Sequence, residues 1–476
     1  GRTLQEIQEM IGMFVNTLPI KAEIKSDMKI LSFLEYIKEQ CIENIEYQEY
    51  PIEKIIKKLE IKRDTSRNPL FDIMFIYQNN GIPQINLKNI NSYGYYINNK
   101  TSKFDLSLEI IPEKEKINVR IEYSIDLFNE KYIKQFFNCY LNSINYICLN
   151  LQNKIEQVEI ISQEEKNKII NEFNNTNGYY REDAIINRFE ENVMKNPNDV
   201  ALIYEDYTIT YDELNKKANR VANYLLKNGI KESDIITILM DRSPEVIISM
   251  IAILKIGAAF LLVDPTYPED RIKYYIKNSK SRIILKQRNI EELNNAINIE
   301  DVFENEKNEF NVNKTIDIDK IAYIIYTSGS TGIPKGVLLT GRNLSNLYEA
   351  MKQKFEYLNY GNKYTVASDV TIAFDFFIFE TLISLTCGLK LVLIDYEGQK
   401  NPIKFQEIIL KDKIDIIQTT PSVIKMYFEN RTIDEAFKRL KYIIFGGENL
   451  PYKLVKDIKK VTQATIYNGY GPTETT

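Results

Sequence analysis

The stretch Ile321–Gly336 reads IAYIIYTSGSTGIPKG. It begins as an apolar strand and breaks into Thr327-Ser328-Gly329-Ser330-Thr331-Gly332, followed by Pro334-Lys335-Gly336. Glycines let the backbone turn tightly and approach a ligand. The hydroxyls and amides offer donors to phosphate oxygens, and Lys335 adds a point charge. The spacing is not that of a Walker loop, which needs G-x-x-x-x-G-K-[ST]. A bare Gly/Ser turn after a strand is usually only a turn; a string this long that also carries a lysine reads as a phosphate loop. The chain has no histidine, which removes Ser-His and Cys-His catalysis, histidine general bases and histidine metal ligands together. Chemistry here must run on carboxylates, hydroxyls, lysine and backbone amides.

Such a loop needs a strand behind it and helices around it, and the sequence supplies both. From residue 181 onward strand-like and helix-like stretches alternate. Thr210 and Glu213 form a capping-box pattern, and Leu214, Ala218, Val221, Ala222 and Leu225 share one helical face. Gly229 can end that helix. Residues 235–240 read as a buried strand, Ser243-Pro244 opens a helix with proline at its first position, and Gly257 can close it. Residues 259–263 and 281–285 read as further strands. This rhythm predicts a largely parallel sheet covered by helices, on which ligands bind beyond the carboxyl ends of the strands. Earlier in the chain, 119–124 alternates as a strand, 129–150 suits a helix, and 79–103 looks like loops or hairpins. Ser162 and Glu165 repeat the capping-box pattern before 163–173, and the polar cluster Asn174–Gly178 breaks it.

The bulk numbers narrow the class. A chain of 476 residues predicts two to three domains. A net charge of -5 gives no reason to expect nucleic acid as a partner. No apolar run reaches the length of a membrane span, and no signal peptide is visible. Cys41, Cys139, Cys148 and Cys387 form no C-x-x-C pair and read as reduced thiols of a cytoplasmic protein.

On these residues the chain resembles the adenylate-forming superfamily, and within it the adenylation domains of nonribosomal peptide synthetases. Ile209–Leu214 (ITYDEL), Leu254–Pro265 (LKIGAAFLLVDP), the phosphate loop, Phe374-Asp375 and Asn468–Glu474 (NGYGPTE) follow one another in the family's order. The resemblance implies that Thr327, Ser328, Ser330, Thr331 and Lys335, with Gly329 and Gly332, hold the triphosphate of ATP. It places Gly446, Gly447 and Glu448 along the adenine and substrate pocket. Asn468, Tyr470, Gly471 and Thr473 would contact the nucleotide, and Glu474 would ligate Mg2+. Lys335, Thr331 and Glu474 are the implied catalytic groups. Asp375 would pair with the α-ammonium of an amino acid, although a helix-terminal carboxylate is the plain alternative. Phe376, Phe379, Gln418, Ile444, Gly446 and Gly469 would surround the substrate side chain. Where the family usually has a histidine after the loop this chain has Gly341, a departure that implies tuning rather than loss of activity.

The first part resembles the late signatures of condensation domains: Gly12–Thr17, Arg63–Leu70 and Tyr123–Phe128 (YSIDLF). For Arg63–Leu70 alone a solvated, locally capped loop is equally good. The implied fold is α/β, a partial chloramphenicol-acetyltransferase-like condensation lobe followed by the N-terminal α/β core of an adenylate-forming enzyme. The expected division is 1–155 for the condensation part, 156–180 for a linker and 181–476 for a truncated adenylation core. That family's histidine motif for peptide-bond formation has no counterpart here. The implied function is ATP-dependent activation of an amino acid for loading onto phosphopantetheine on a carrier domain outside this chain, in secondary-metabolite and antibiotic biosynthesis. Two alternatives stay open: a stand-alone acyl-CoA or aryl-acid ligase, and a piece that binds ATP without turnover when isolated.

Overall fold

A computed structural model describes residues 5–7, 9–12, 16–61, 68–78, 100–113, 115–178, 180–291, 293–328, 332–429 and 434–476. The chain divides into two compact units, Gly1–Gly178 and Tyr179–Thr476. Among the described residues no helix is long and apolar enough to cross a membrane.

In the first unit β1 (Ile73–Tyr77) pairs parallel with β2 (Leu106–Pro112), and β2 antiparallel with β3 (Ile117–Tyr123). The strand expected at 119–124 is therefore β3, which starts earlier because its register with β2 runs to Ile117. The helix Glu130–Leu149 starts where Asn129 accepts a hydrogen bond from the Tyr132 amide at 2.8 Å. Ser162 accepts from the Glu165 amide at 3.1 Å. The box is not closed, because the Glu165 carboxylate accepts from Gln135 instead. The helix expected over 163–173 accordingly splits into Gln163–Asn167 and a π-helical turn, Lys168–Glu172. Of the N-terminal signatures, residues 13–15 and 63–67 lie outside the described residues, as does 79–99 of the expected hairpin region.

The second unit holds two sheets rather than one. Its strands are β4 (Val200–Tyr204), β5 (Tyr207–Thr210), β6 (Ile235–Leu239), β7 (Ala259–Val263), β8 (Ile283–Lys286), β9 (Ala296–Asn298), β10 (Ile321–Thr327), β11 (Lys335–Thr340), β12 (Thr365–Ser368), β13 (Lys390–Leu393), β14 (Ile416–Thr419), β15 (Tyr442–Phe445) and β16 (Thr465–Asn468). The orders are β11-β10-β7-β6-β8-β9 and β16-β15-β14-β12-β13-β4-β5. Every pairing is parallel except the hairpins β10–β11 and β4–β5. The hairpin β4–β5 joins the second sheet by pairing with β13, far along the chain.

Local chemistry explains the elements. The Thr210–Glu213 box is closed in both directions and starts the helix Tyr211–Lys227, whose Leu214, Ala218, Val221, Ala222 and Leu225 are all fully buried. Gly229 and Gly257 take positive φ just after the helices they end. Pro244 opens the buried helix Pro244–Lys255. β8 begins at Ile283 rather than 281 because the Ser281 hydroxyl accepts from the Thr237 amide and takes no place in the ladder. Arg242, just after β6, reaches the other sheet. It donates to the Ile394 carbonyl at 2.7 Å, to the Ser368 hydroxyl at 2.6 Å and to the Val370 carbonyl.

Candidate active site

The stretch expected to hold phosphate connects the strands of the β10–β11 hairpin. Thr327 and Lys335 are its last paired residues, and Ser328 follows the carboxyl end of β10, which runs parallel to β7. Lys335 and Gly336 thus belong to β11 rather than to the turn. Gly332 has φ +81, open to glycine at little cost. The base of the loop is held by aromatic residues that its motif does not announce: the Tyr274 hydroxyl donates to the Pro334 carbonyl at 3.2 Å, and Tyr326 stacks on Tyr275 at 4.0 Å between centroids. Lys335 is exposed and makes no ion pair among the described residues. Gly329, Ser330 and Thr331 lie outside the described residues.

Asp375 and the last turn of the chain meet. Asp375 is the first residue of a helical segment that runs Asp375–Ile378, passes through a π-helical turn at Phe379–Ile383 and ends at Ser384–Thr386. The hydroxyl of Thr473, which is buried, donates to Asp375 Oδ2 at 2.7 Å. Its neighbour Glu474 faces the other way, with Oε1 3.5 Å from the Thr327 hydroxyl, the outer limit of a hydrogen bond. The turn Thr473–Thr475 therefore touches both the loop and the Asp375 carboxylate. Tyr323 on β10 is near as well: burial pushes its phenol well up, and the Asp375 carboxylate adds to the effect. Asp375 is thus a helix-terminal carboxylate and a member of this cluster at once.

The remaining candidates line the carboxyl ends of the second sheet. Gln418 pairs in register with Ile444, and Phe445 with Asn468. Phe376 lies on Gly446, where an added Cβ would sit 1.9 Å from its ring carbons. Gly447 has φ +77 and carries the Phe374 ring against it. Phe355 touches both Phe379, at 5.6 Å, and Tyr467, at 4.8 Å between centroids; neither Phe355 nor Tyr467 stood out in the sequence, since nothing in their spacing marks a site. The Glu448 carboxylate accepts from the Ser422 amide at 3.0 Å and from its hydroxyl, so Glu448 fixes the turn after β15. Tyr470 is almost wholly exposed, and a Cβ added at Gly471 would meet nothing within 4 Å. An open cleft of about 740 Å³ runs beside Glu448, lined by Ser422, Lys425 and Asn449.

Two details bear on ligands. At Gly341 an added Cβ would stand 3.1 Å from the Ile318 Cα and carbonyl oxygen, so a side chain where the resembling family carries its ring would be tight and would need the Ile318 backbone to shift by a few tenths of an ångström. Among the described residues no cluster of cysteines and carboxylates is suited to enclose a metal. A lone carboxylate at the mouth of a phosphate loop, which is what Glu474 provides, suits Mg2+ held mostly by substrate phosphates.

The sequence model described as AMP-binding enzyme matches residues 189–476, and that described as Condensation domain matches residues 1–170. Gramicidin S synthase 2 of Aneurinibacillus migulanus is 35% identical over 485 residues, which take in 100% of this chain and 11% of the synthase. Tyrocidine synthase 3 of Brevibacillus parabrevis is 31% identical over 481 residues, covering 100% of this chain and 7% of that protein. The chain therefore spans about a tenth of the length of these curated relatives or less. A crystal structure of a four-domain nonribosomal peptide synthetase bound to AMP and glycine matches in fold with a TM-score of 0.86 at 22% identity, covering 100% of this chain and 36% of that one.

Proposed function

This chain belongs to the AMP-binding enzymes, with a condensation-domain match ahead of the AMP-binding part, and on that premise we propose that it activates an amino acid with ATP within a nonribosomal peptide synthetase. The observation that carries the proposal is the turn Thr473–Thr475, which sets one residue on Asp375 and the next beside Thr327. One side of the turn has the carboxylate an α-ammonium needs; the other has the hydroxyls and lysine that polyphosphate needs.

In this reading Thr327, Ser328 and Lys335, with the loop residues 329–331, hold the β- and γ-phosphates. Asn468, Tyr470 and Thr473 flank the nucleotide. Asp375 fixes the ammonium so that the amino-acid carboxylate faces the α-phosphorus. The carboxylate oxygen forms a bond to that phosphorus, the bond to the bridging oxygen breaks, and pyrophosphate leaves with the electron pair. The product is an aminoacyl-adenylate. Glu474 would hold Mg2+ beside Thr327, where the ion would supply charge neutralisation to the leaving pyrophosphate. The protein's contribution is positioning and charge compensation. The acyl group then passes to the phosphopantetheine thiol of a carrier domain, the partner this function requires.

Amino-acid-dependent ATP–pyrophosphate exchange tests the proposal, with fatty and aryl acids run beside a full amino-acid panel. One amino acid, or a narrow set, drives exchange, and Asp375→Asn lowers kcat/KM for it at least tenfold. Exchange driven only by fatty or aryl acids would reassign the chain to acyl-CoA or aryl-acid ligases. ATP binding without exchange for any acid would reduce it to a nucleotide-binding piece.

A further inference from the structure

The strand β10 shows its two faces to different neighbours. Side chains alternate along a strand. Tyr323 and Ile325 pack into the large core cluster of the second unit, whereas Ile324 packs into a separate one with Tyr275, and Tyr326 lies against that second cluster. Residues directly opposite in an antiparallel pair share a face. Thr327 and its partner Lys335 are therefore on the face of Ile325, where Glu474 approaches the Thr327 hydroxyl. Tyr326 and its partner Gly336 are on the other face.

That other face is held by one helix, Glu269–Ser279. The Tyr326 ring stacks on Tyr275 at 4.0 Å and meets Tyr274 edge-on at 6.3 Å between centroids. Its hydroxyl donates to Asn278 Oδ1 at 2.7 Å. Burial pushes this phenol up to about 12, so it stays a donor at neutral pH. The ring also crowds Gly336, where an added Cβ would stand 3.2 Å from Tyr326 Cζ. Gly336 thus serves the packing of the hairpin. One further contact reaches the backbone. Pro334 stands one residue outside the last ladder pair, and the Tyr274 hydroxyl donates to its carbonyl at 3.2 Å. That carbonyl belongs to the peptide joining Pro334 to Lys335. The bond therefore fixes the root of a side chain whose own residue is exposed.

We propose that Tyr274 is a positioning residue for polyphosphate: through the Pro334 carbonyl it sets where Lys335 stands, with the helix Glu269–Ser279 as the wall that holds the end of the hairpin. The inference rests on the nucleotide-binding reading above and deepens that same site. Tyr274 acts through Lys335 rather than on the ligand. A lysine side chain has much rotamer freedom to lose, and a fixed backbone at its root leaves less to be ordered when phosphate arrives. The gain goes to a nucleotide that carries β- and γ-phosphates. A monophosphate does not share in it.

The test uses the 476-residue chain and calorimetric titration with AMP and with the β,γ-imido analogue of ATP, each with Mg2+. Tyr274→Phe keeps the ring and removes the donor. It is expected to weaken binding of the ATP analogue about fivefold while AMP binding stays within about twofold. Lys335→Ala is expected to weaken the ATP analogue further, again sparing AMP. The double variant is expected to bind the ATP analogue no more weakly than Lys335→Ala, because residues acting as one unit are not additive. Additive losses in the double variant, an equal loss for both nucleotides in Tyr274→Phe, or no loss there at all, overturns the inference and leaves nucleotide binding standing. Indifference of the ATP analogue to Lys335→Ala, or no binding of either nucleotide by the wild type, overturns the phosphate reading and the inference together.

Discussion

Gly341 shows how one residue can be read two ways. By resemblance it marks a missing ring; in the structure it marks a tight space, because Ile318 backbone lies 3.1 Å from where a Cβ would be. Backbone cannot move aside as a side-chain tip can. Gly341→His is expected to lower stability by about 1–3 kcal/mol, as overpacking does, and to give no gain in ATP–pyrophosphate exchange; thermal unfolding together with the exchange assay measures both. The run after β10 stood out in the sequence because hydroxyls, glycines and a lysine together suggest phosphate chemistry, and its place between β10 and β11 follows from the apolar strand before it. The Thr473–Asp375 hydrogen bond was not, since its partners lie 98 positions apart and neither residue type calls for the other. Tyr323 was equally silent, an apolar strand residue until the fold sets it near a carboxylate.

Elements were legible where a local pattern is closed locally. Thr210 and Glu213 complete their box, and the helix runs as the sequence predicts. Thr210→Ala is expected to cost about 1 kcal/mol in chemical denaturation while leaving exchange unchanged. At Ser162 the same pattern fails, because Gln135 takes the Glu165 carboxylate, a competitor no local window contains. The π-helical turn at Phe379–Ile383 has its own consequence. It turns Glu380 inward to accept from the Ser368 hydroxyl at 2.8 Å, near Asp369 and the single guanidinium of Arg242. Burial pushes Asp369 up to about 7 and Glu380 well above the usual carboxylate range; the negative charge of Asp369 raises Glu380 further, while Arg242 opposes both shifts. The folded chain therefore keeps protons that the unfolded chain has released. The share of Asp369 is fully present below about pH 4 and is lost as pH rises through about 7, and that of Glu380 is lost at higher pH still. Wild type should lose on the order of 2 kcal/mol from Asp369 alone between pH 5 and pH 8. Glu380→Gln should make that fall shallower, as urea titrations at the two pH values will show.

At the scale of the whole molecule, sheet membership was hidden while strand existence was not. An apolar run such as residues 259–263 announces a strand, but nothing local says that the β4–β5 hairpin will pair with β13. Arg242 links the two sheets of the second unit through three hydrogen bonds, to Ser368 of β12 and to Val370 and Ile394 just past the ends of β12 and β13. Arg242→Met is expected to cost at least about 3 kcal/mol, because it leaves buried acceptors and two carboxyl groups without their cation. The two units differ in core. Among the described residues the first unit buries few apolar side chains, chiefly Ile30, Leu106, Leu108, Ile110, Ile111 and Ile133, whereas the second holds three core clusters. Calorimetry should resolve two transitions, the first unit melting at the lower temperature, and limited proteolysis should cut first within the exposed stretch Asn174–Gly178. Finally, consecutive residues Thr473 and Glu474 face different partners, Asp375 and Thr327. In the proposed function an arriving ammonium would compete with the Thr473 hydroxyl for Asp375, and arriving phosphates would draw on Thr327 beside Glu474. Whatever one ligand does to that short turn, the other must feel. Affinity for the amino acid should depend on bound nucleotide, and affinity for the nucleotide should change by the same factor when the amino acid binds first, because a thermodynamic cycle closes whichever way round it is travelled.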